Sequence, residues 1–145
     1  MRIKLTVLFF AMLGTCIGCE ADGSPFHAVL APPNMSVIYI YRPSGSYYGS
    51  GVALDIKCDG KKFSTLQESG YTYALVTPGP HTISCETETK SEIPFTAELG
   101  RSYYIDAEVE EGFFVGRPRL TMVPEDTGKL AIPSTRQSDD SKEKK

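Results

Sequence analysis

The residues of this 145-residue chain that could do chemistry are four cysteines, two histidines and a row of carboxylates. Cys58 and Cys85 each end an alternating apolar row, Leu54-Ile56-Cys58 and Ile83-Cys85, so both are expected to point into a core. In an oxidising compartment such a pair is expected to form a disulfide, contributing roughly 3–4 kcal/mol if unstrained. The competing reading is two buried free thiols that act as small hydrophobes. A metal site needs more ligands than this pair and one histidine supply, so no metal is expected. His81 follows Pro80 at a turn-to-strand junction, where a local hydrogen bond is its expected task, and His27 lies in a polar stretch and is expected to be solvated. There is no Gly-x-Ser-x-Gly elbow, His-Glu-x-x-His helix or phosphate loop, so neither catalytic residues nor a cofactor are expected.

Asp106, Glu108 and Glu110 fall on one side of a strand. They could bind calcium or a basic partner. The stronger reading is a solvated face, because an antiparallel register that keeps apolar residues together sets Arg117 opposite Glu110 and Arg119 opposite Glu108. The same register faces Leu120 with Ala107 and Met122 with Ile105, and cross-strand charge pairs contribute roughly 0.2–1 kcal/mol each. Phe113-Phe114-Val115 lies between Gly112 and Gly116, where the last two strands join. Exposed, this tip would contact a partner or membrane. Folded back, it would plug one end of the domain, and that is favoured because soluble domains rarely leave adjacent phenylalanines in water. Tyr47 and Tyr48, in a Gly/Ser loop, are candidate contacts for a sugar ring or peptide, against the plainer reading of a mobile loop.

The start of the chain carries an address. Arg2 and Lys4 precede the apolar run Leu5–Leu13, and small residues with cysteine close it, which makes an export signal. The run is too short to cross a bilayer, which needs about 20 apolar residues. Cys19, after Ile17-Gly18, resembles the cysteine of a bacterial lipoprotein, which is acylated after the cut and becomes the new N-terminus. Cys16, after Leu13-Gly14-Thr15, competes for that role. Parity favours Cys19, since a cut before it discards Cys16 and leaves Cys58 and Cys85 as an even pair. A plain cleaved signal and a soluble product is the remaining alternative. The resemblance implies several acyl chains, which anchor stably where one holds only marginally. Glu20 after the cysteine resembles the sorting pattern of outer-membrane lipoproteins, so a location on the periplasmic side of the outer membrane is expected.

The elements that must position these residues are strands. Fifteen aromatics without tryptophan, together with many glycine and proline turn signals, indicate an all-β chain. Ser36–Arg42 is apolar on both faces, as in a strand buried on two sides. Asp59-Gly60 marks a tight hairpin. The run Ile93, Phe95, Ala97, Leu99 alternates cleanly, and Pro94 within it argues for a sheet edge. Seven or eight short antiparallel strands at this spacing predict a single β-sandwich. The expected boundaries are a signal peptide over 1–18, a lipidated flexible tether over 19–35, the sandwich over 36–124, and over 125–145 a short helical turn followed by a disordered charged tail.

Removing residues 1–18 takes away Arg2 and Lys4 and no acid, which moves the net charge from −3 to −5. With no basic stripe, nucleic-acid binding is not expected. Val37–Pro43, Asp59-Gly60-Lys61-Lys62, Pro78–Thr82, Tyr103-Tyr104 and Gly112–Arg117, taken in this order over about residues 36–123, resemble a bacterial envelope family known as a domain of unknown function, number 2846. The resemblance implies a small immunoglobulin-like or PEGA-like β-sandwich, often on a lipoprotein, with no activity or ligand attached. The expectation is a non-enzymatic, lipid-anchored binding or structural module with a membrane partner through its lipid. The alternatives are a cell-wall glycan or peptide binder using Tyr47 and Tyr48, and a subunit of an envelope complex docking through Phe113 and Phe114.

Overall fold

The computed structural model describes residues 20–45 and 48–138. The expected signal peptide, Cys16, Cys19, Tyr47 and the last seven residues of the charged tail lie outside the described residues. The strands are β1 (Ser36–Tyr41), β2 (Leu54–Cys58), β3 (Lys61–Leu66), β4 (Gly70–Val76), β5 (Gly79–Glu86), β6 (Lys90–Ala97), β7 (Ser102–Glu110), β8 (Arg117–Val123) and β9 (Arg136–Gln137). They form a β-sandwich of two sheets, ordered β8-β7-β1-β4-β9 and β3-β2-β5-β6. Asp59 and Gly60 both take positive φ, at 50° and 83°, which is what a two-residue hairpin turn with right-handed strand twist demands. Pro94 lies on β6, an edge strand, where its missing N–H costs no ladder bond. The β7–β8 register pairs Glu110 with Arg117, Glu108 with Arg119, Ala107 with Leu120 and Ile105 with Met122, as the charge and apolar pattern requires.

Two departures from an all-antiparallel sheet have simple causes. β1 and β7 pair in parallel, Tyr41 beside Asp106, because five strands intervene between them in the chain and β1 has no hairpin partner. β9 pairs in parallel with β4 because a helix carries the chain back along the sheet after β8.

That helix, α1 (Glu125–Ala131), and the 3-10 turn Ile132–Ser134 lie over the outer face of the five-stranded sheet. Every residue of β1 is buried. Ile38 and Ile40 face the inter-sheet core with Leu54, Ile56, Leu66, Ile83, Ile105 and Ala107. Val37, Tyr39 and Tyr41 face the other way, where Tyr71, Tyr104 and Ile132 join them under Phe26, Val29, Ala31 and Ala131. Gly128 fits only because it has no side chain, since a Cβ there would stand 2.2 Å from the Tyr104 ring.

This third layer, outside the two sheets, overturns the flexible tether and the start of the disordered tail. The Ala21 N–H donates to the Glu68 carbonyl at 2.9 Å, and the Ala21 side chain is buried. Phe26 meets Tyr39 and Tyr71 edge-on, with ring centroids 5.5 and 5.1 Å away. The Val29 N–H donates to the Tyr39 hydroxyl at 2.8 Å. Thr135 and Ser138 are buried beyond the helix, flanking β9. Composition reads both stretches as polar and therefore free. A handful of apolar residues is enough to recruit them, because β1 would otherwise leave three large side chains in water.

Phe26→Ala is therefore expected to lower stability by about 2 kcal/mol, as truncation of a packed, half-buried aromatic does. Urea unfolding measures it, and a change within about 0.5 kcal/mol, typical of an unpacked surface position, would show that the stretch is a tether after all.

Candidate functional site

The β7–β8 ladder ends at the pair Glu110–Arg117, which leaves Glu111–Gly116 to close the hairpin. Gly112 and Gly116 stand so close that a Cβ on Gly112 would lie 2.5 Å from the Gly116 Cα, so the neck of the loop tolerates no side chain. The facing sheet grips this loop. Glu88, in the turn after β5, accepts the Phe113 N–H at 2.8 Å and the Gly116 N–H at 3.2 Å, and its Oε1 also accepts from Phe114 and Val115. The Thr87 hydroxyl donates to the Gly116 carbonyl at 2.6 Å. Four converging amides, that of Val115 foremost, hold the Glu88 carboxyl down at about 2, far below the ordinary carboxylate range.

This clamp settles where the side chains go. The backbone amides turn inward to Glu88, so the rings turn outward, and Phe113 and Phe114 are 81% and 85% exposed. They meet edge-to-face with centroids 4.6 Å apart, and Val115 beside them is exposed too. The expected plug is thus corrected: the sandwich end is already closed by Val109, against which Gly49 and Gly116 pack so tightly that a Cβ on either would approach to 2.5 Å.

Arg42 holds the neighbouring loop. Buried at the end of β1, its guanidinium donates to the carbonyls of Val52 and of Gly49, the latter at 2.6 Å. Gly49 and Tyr48 thereby line one shallow hollow with Glu110, Phe114 and Val115. The structure brings together Tyr48 and the phenylalanine tip, two features far apart in sequence. The same loop, through Ser44, Gly45, Ser50 and Gly51, lines a second hollow with Glu20, Glu68 and Ser69.

The opposite end holds the other candidate residues. Asp59, in the β2–β3 turn, accepts the Thr82 N–H at 2.8 Å through Oδ1, and its Oδ2 lies 2.7 Å from His81 Nδ1. His81 Nε2 lies 2.7 Å from the Thr77 carbonyl. Cys58 Sγ stands 3.8 Å from Asp59 Oδ2, so Cys58, Asp59 and His81 form a three-donor cluster whose oxygens and nitrogens are already bonded within the fold. With an acceptor at each ring nitrogen, Asp59 foremost, His81 is held above its ordinary value and Asp59 below its own. Burial, and then Asp59, pushes the Cys58 thiol up to about 11, which favours the protonated form over the reactive thiolate. The arrangement is a clasp between two turns.

The expected Cys58–Cys85 disulfide is not formed; both cysteines are free. Cys58 pairs with Ile83, which places Cys85 two residues along the neighbouring strand on the same face. Such diagonal neighbours have Cα atoms about 7–8 Å apart. A disulfide wants less than about 7 Å. The acidic row is also reshaped. Arg119 reaches Glu110 at 2.7 Å, on a solvated face, while Asp106 is half-buried and burial, then Glu108, lifts its carboxyl to about 6. Glu88 and Asp59 carry the local architecture, and sequence gave a signal only for Asp59, through its Asp-Gly turn. Glu88 is one acid among several in a polar stretch.

Glu88→Gln is expected to free the tip, since one amide oxygen cannot serve four donors. Hydrogen exchange should speed at least tenfold for the amides of residues 113–116 and stay unchanged in β7; unchanged protection at the tip would refute the clamp. At the other end, a raised histidine value gives stability that is complete below about 6.5 and lost as pH rises through the folded value. The loss in Tm caused by His81→Ala should therefore be larger at pH 5.5 than at pH 8.5, and the reverse order would exclude the clasp.

Residues 32–117 match the family described as Protein of unknown function (DUF2846). An uncharacterized protein of Haemophilus influenzae is 34% identical over 98 residues, a stretch that covers 67% of this chain and 57% of that protein. The chain thus spans little more than half the length of that relative. The family match takes in β1 to β7, Arg42, Glu88, the whole aromatic tip and the Asp59–His81 clasp. With a matched stretch of that extent, the chain belongs to the DUF2846 family.

Proposed function

We propose that this chain is a non-enzymatic, lipid-anchored protein of the bacterial envelope, acylated at Cys19, whose sandwich is a contact module working through its aromatic tip. The observation that carries the contact reading is the pair Phe113 and Phe114, held out at 81% and 85% exposure by a dedicated carboxylate. Leaving such side chains in water forfeits about 1.5–3 kcal/mol each. A loop free to fold back would recover that energy, and here the glycine neck and Glu88 prevent it. The anchor reading is supported by Arg2, Lys4, the apolar run Leu5–Leu13 and Cys19 after Ile17-Gly18. The non-enzymatic reading is supported by the chemistry at hand: among the described residues, the one histidine beside a thiol has both ring nitrogens committed, and that thiol is protonated.

A second reading, a binder of cell-wall glycan or peptide, is favoured by the placement of Tyr48 beside Phe114. Stacking of a sugar on such a ring would make this end a carbohydrate contact. Co-sedimentation with peptidoglycan separates the two: binding that Tyr47→Ala and Tyr48→Ala abolish supports the glycan reading, and no binding in any variant removes it.

The anchor has its own test. Mass spectrometry of the membrane fraction should find the mature chain starting at an acylated Cys19, and Cys19→Ala should leave the protein out of that fraction. An unmodified Cys19 in a soluble chain would overturn the anchor.

A further inference from the structure

The register fixes which parts of the molecule share an end. β1 finishes at Tyr41 beside Tyr71 at the start of β4 and Asp106 of β7. The β7–β8 tip therefore projects past the end of β1, and so does the segment Gln67–Ser69 that precedes β4. Glu20 bridges to Glu68 in that segment. β4 and β7 flank β1, so Glu20 and the tip are separated by two strand spacings, about 10 Å across the sheet.

The chain has almost no slack at this point. From Ala21 onward it is fastened to the domain, by the Ala21 N–H on Glu68, by the Pro25 bridge to Arg136 and by Phe26 between two tyrosines. Cys19 is one trans peptide, about 3.8 Å from Cα to Cα, before Glu20. An acyl group on Cys19 would thus enter the bilayer beside the domain and hold this end of the sandwich against the surface.

We infer that the occupant of the Phe113–Phe114–Val115 tip is the bilayer that takes the chain's own acyl anchor, so that the domain lies docked on the membrane, tip inward. The inference rests on acylation of Cys19 as proposed above. The tip is suited to that surface. Three adjacent apolar side chains project together, while Glu110, Glu111 and Arg117 surround their base, where headgroups and water remain. Phenylalanine, like the Trp, Phe and Leu on the apolar face of interfacial helices, buries into the boundary between headgroups and acyl chains. Because Glu88 fixes the loop in advance, insertion demands no ordering of the chain. The anchor also supplies the surface at high effective concentration, whereas a soluble partner would have to find the tip by diffusion.

The chain has no tryptophan, so one introduced ring reports alone. The full-length chain carrying Phe114→Trp, taken from membranes with its acyl group verified by mass spectrometry, is reconstituted into phosphatidylethanolamine–phosphatidylglycerol vesicles with brominated chains. Leu99→Trp serves as control, being exposed at the opposite end beyond β6. Brominated lipid should quench the tip tryptophan at least twofold more than the control, and acrylamide should reach the control more readily. An acylated, vesicle-bound protein whose tip tryptophan is open to acrylamide and untouched by bromine overturns the docking and leaves the anchor standing. Mass spectrometry that finds no acyl group on the chain taken from cells overturns the anchor, and the docking with it. A tip shielded from acrylamide in native membranes but exposed in vesicles identifies a protein as the occupant and overturns the bilayer.

Discussion

The rest of this structure depends on one strand having no face for water. β1 alternates Ile38 and Ile40 with Val37, Tyr39 and Tyr41, and all of them are buried. A sandwich covers one face of each sheet and leaves the other to solvent, which suits strands such as β7 in its second half, where Glu108 and Glu110 point out. β1 cannot accept that arrangement. Its outer face needs a third layer, and the chain supplies one from both sides: the segment around Phe26 from before the strand, and α1 with Ile132 from after the last long strand. The edge-on contacts of Phe26 with Tyr39 and Tyr71 are the joint between layer and sheet, and Tyr39 and Tyr104, stacked 5.2 Å apart within the sheet, form part of the surface that the layer covers.

A different economy governs the tip. Hydrophobic burial elsewhere decides which way side chains point, yet at residues 113–116 the backbone decides. One carboxylate with four amide donors is a charge-assisted cluster, and such bonds are roughly twice as strong as neutral ones. The amides can reach Glu88 only from the inner side of the loop, which leaves the outer side to the rings. The cost of exposing them is thereby tied to the geometry of the β5–β6 turn on the facing sheet. The two sheets are joined a second time nearby, where the Leu120 N–H donates to the Ser91 hydroxyl at 3.0 Å. Both links bind β8 and its hairpin to the edge of the opposite sheet.

How much could be read in advance follows from the range of each interaction. Short-range pattern carried the strands, the Asp59-Gly60 turn, the Pro94 edge and the β7–β8 register, because period-two alternation and opposed charges constrain neighbours directly. The fold class came from the same source. Long-range choices were not legible. Parallel pairing of β1 with β7 depends on how five intervening strands cross between sheets, and nothing in either strand encodes it. The disulfide failed on a two-residue offset between β2 and β5 that no spacing reveals. The outward tip depends on Glu88, an acid with no local motif, and the third layer depends on Phe26, the one aromatic in a stretch whose few aliphatic residues, Val29 and Ala31 among them, show no strand or helix period. In each case a side chain of ordinary type acquires its importance from a partner tens of residues away.

The third layer also bears on what the family shares. The match runs over residues 32–117, which includes β1 with its doubly apolar pattern but excludes Phe26, Val29, α1 and Ile132. The cover that this protein lays over the strand thus comes from chain outside the matched stretch. In this protein the cover is drawn from residues immediately after Cys19, and that choice removes the freedom a linker would have given. Had the layer been built from the C-terminal side alone, residues 20–35 could have extended as a spacer of several nanometres at about 3.3 Å per residue. Satisfying the outer face of β1 from the N-terminal side is thus what brings the start of the domain to within a single residue of the proposed point of attachment, at the end of the sandwich that also carries the exposed phenylalanines.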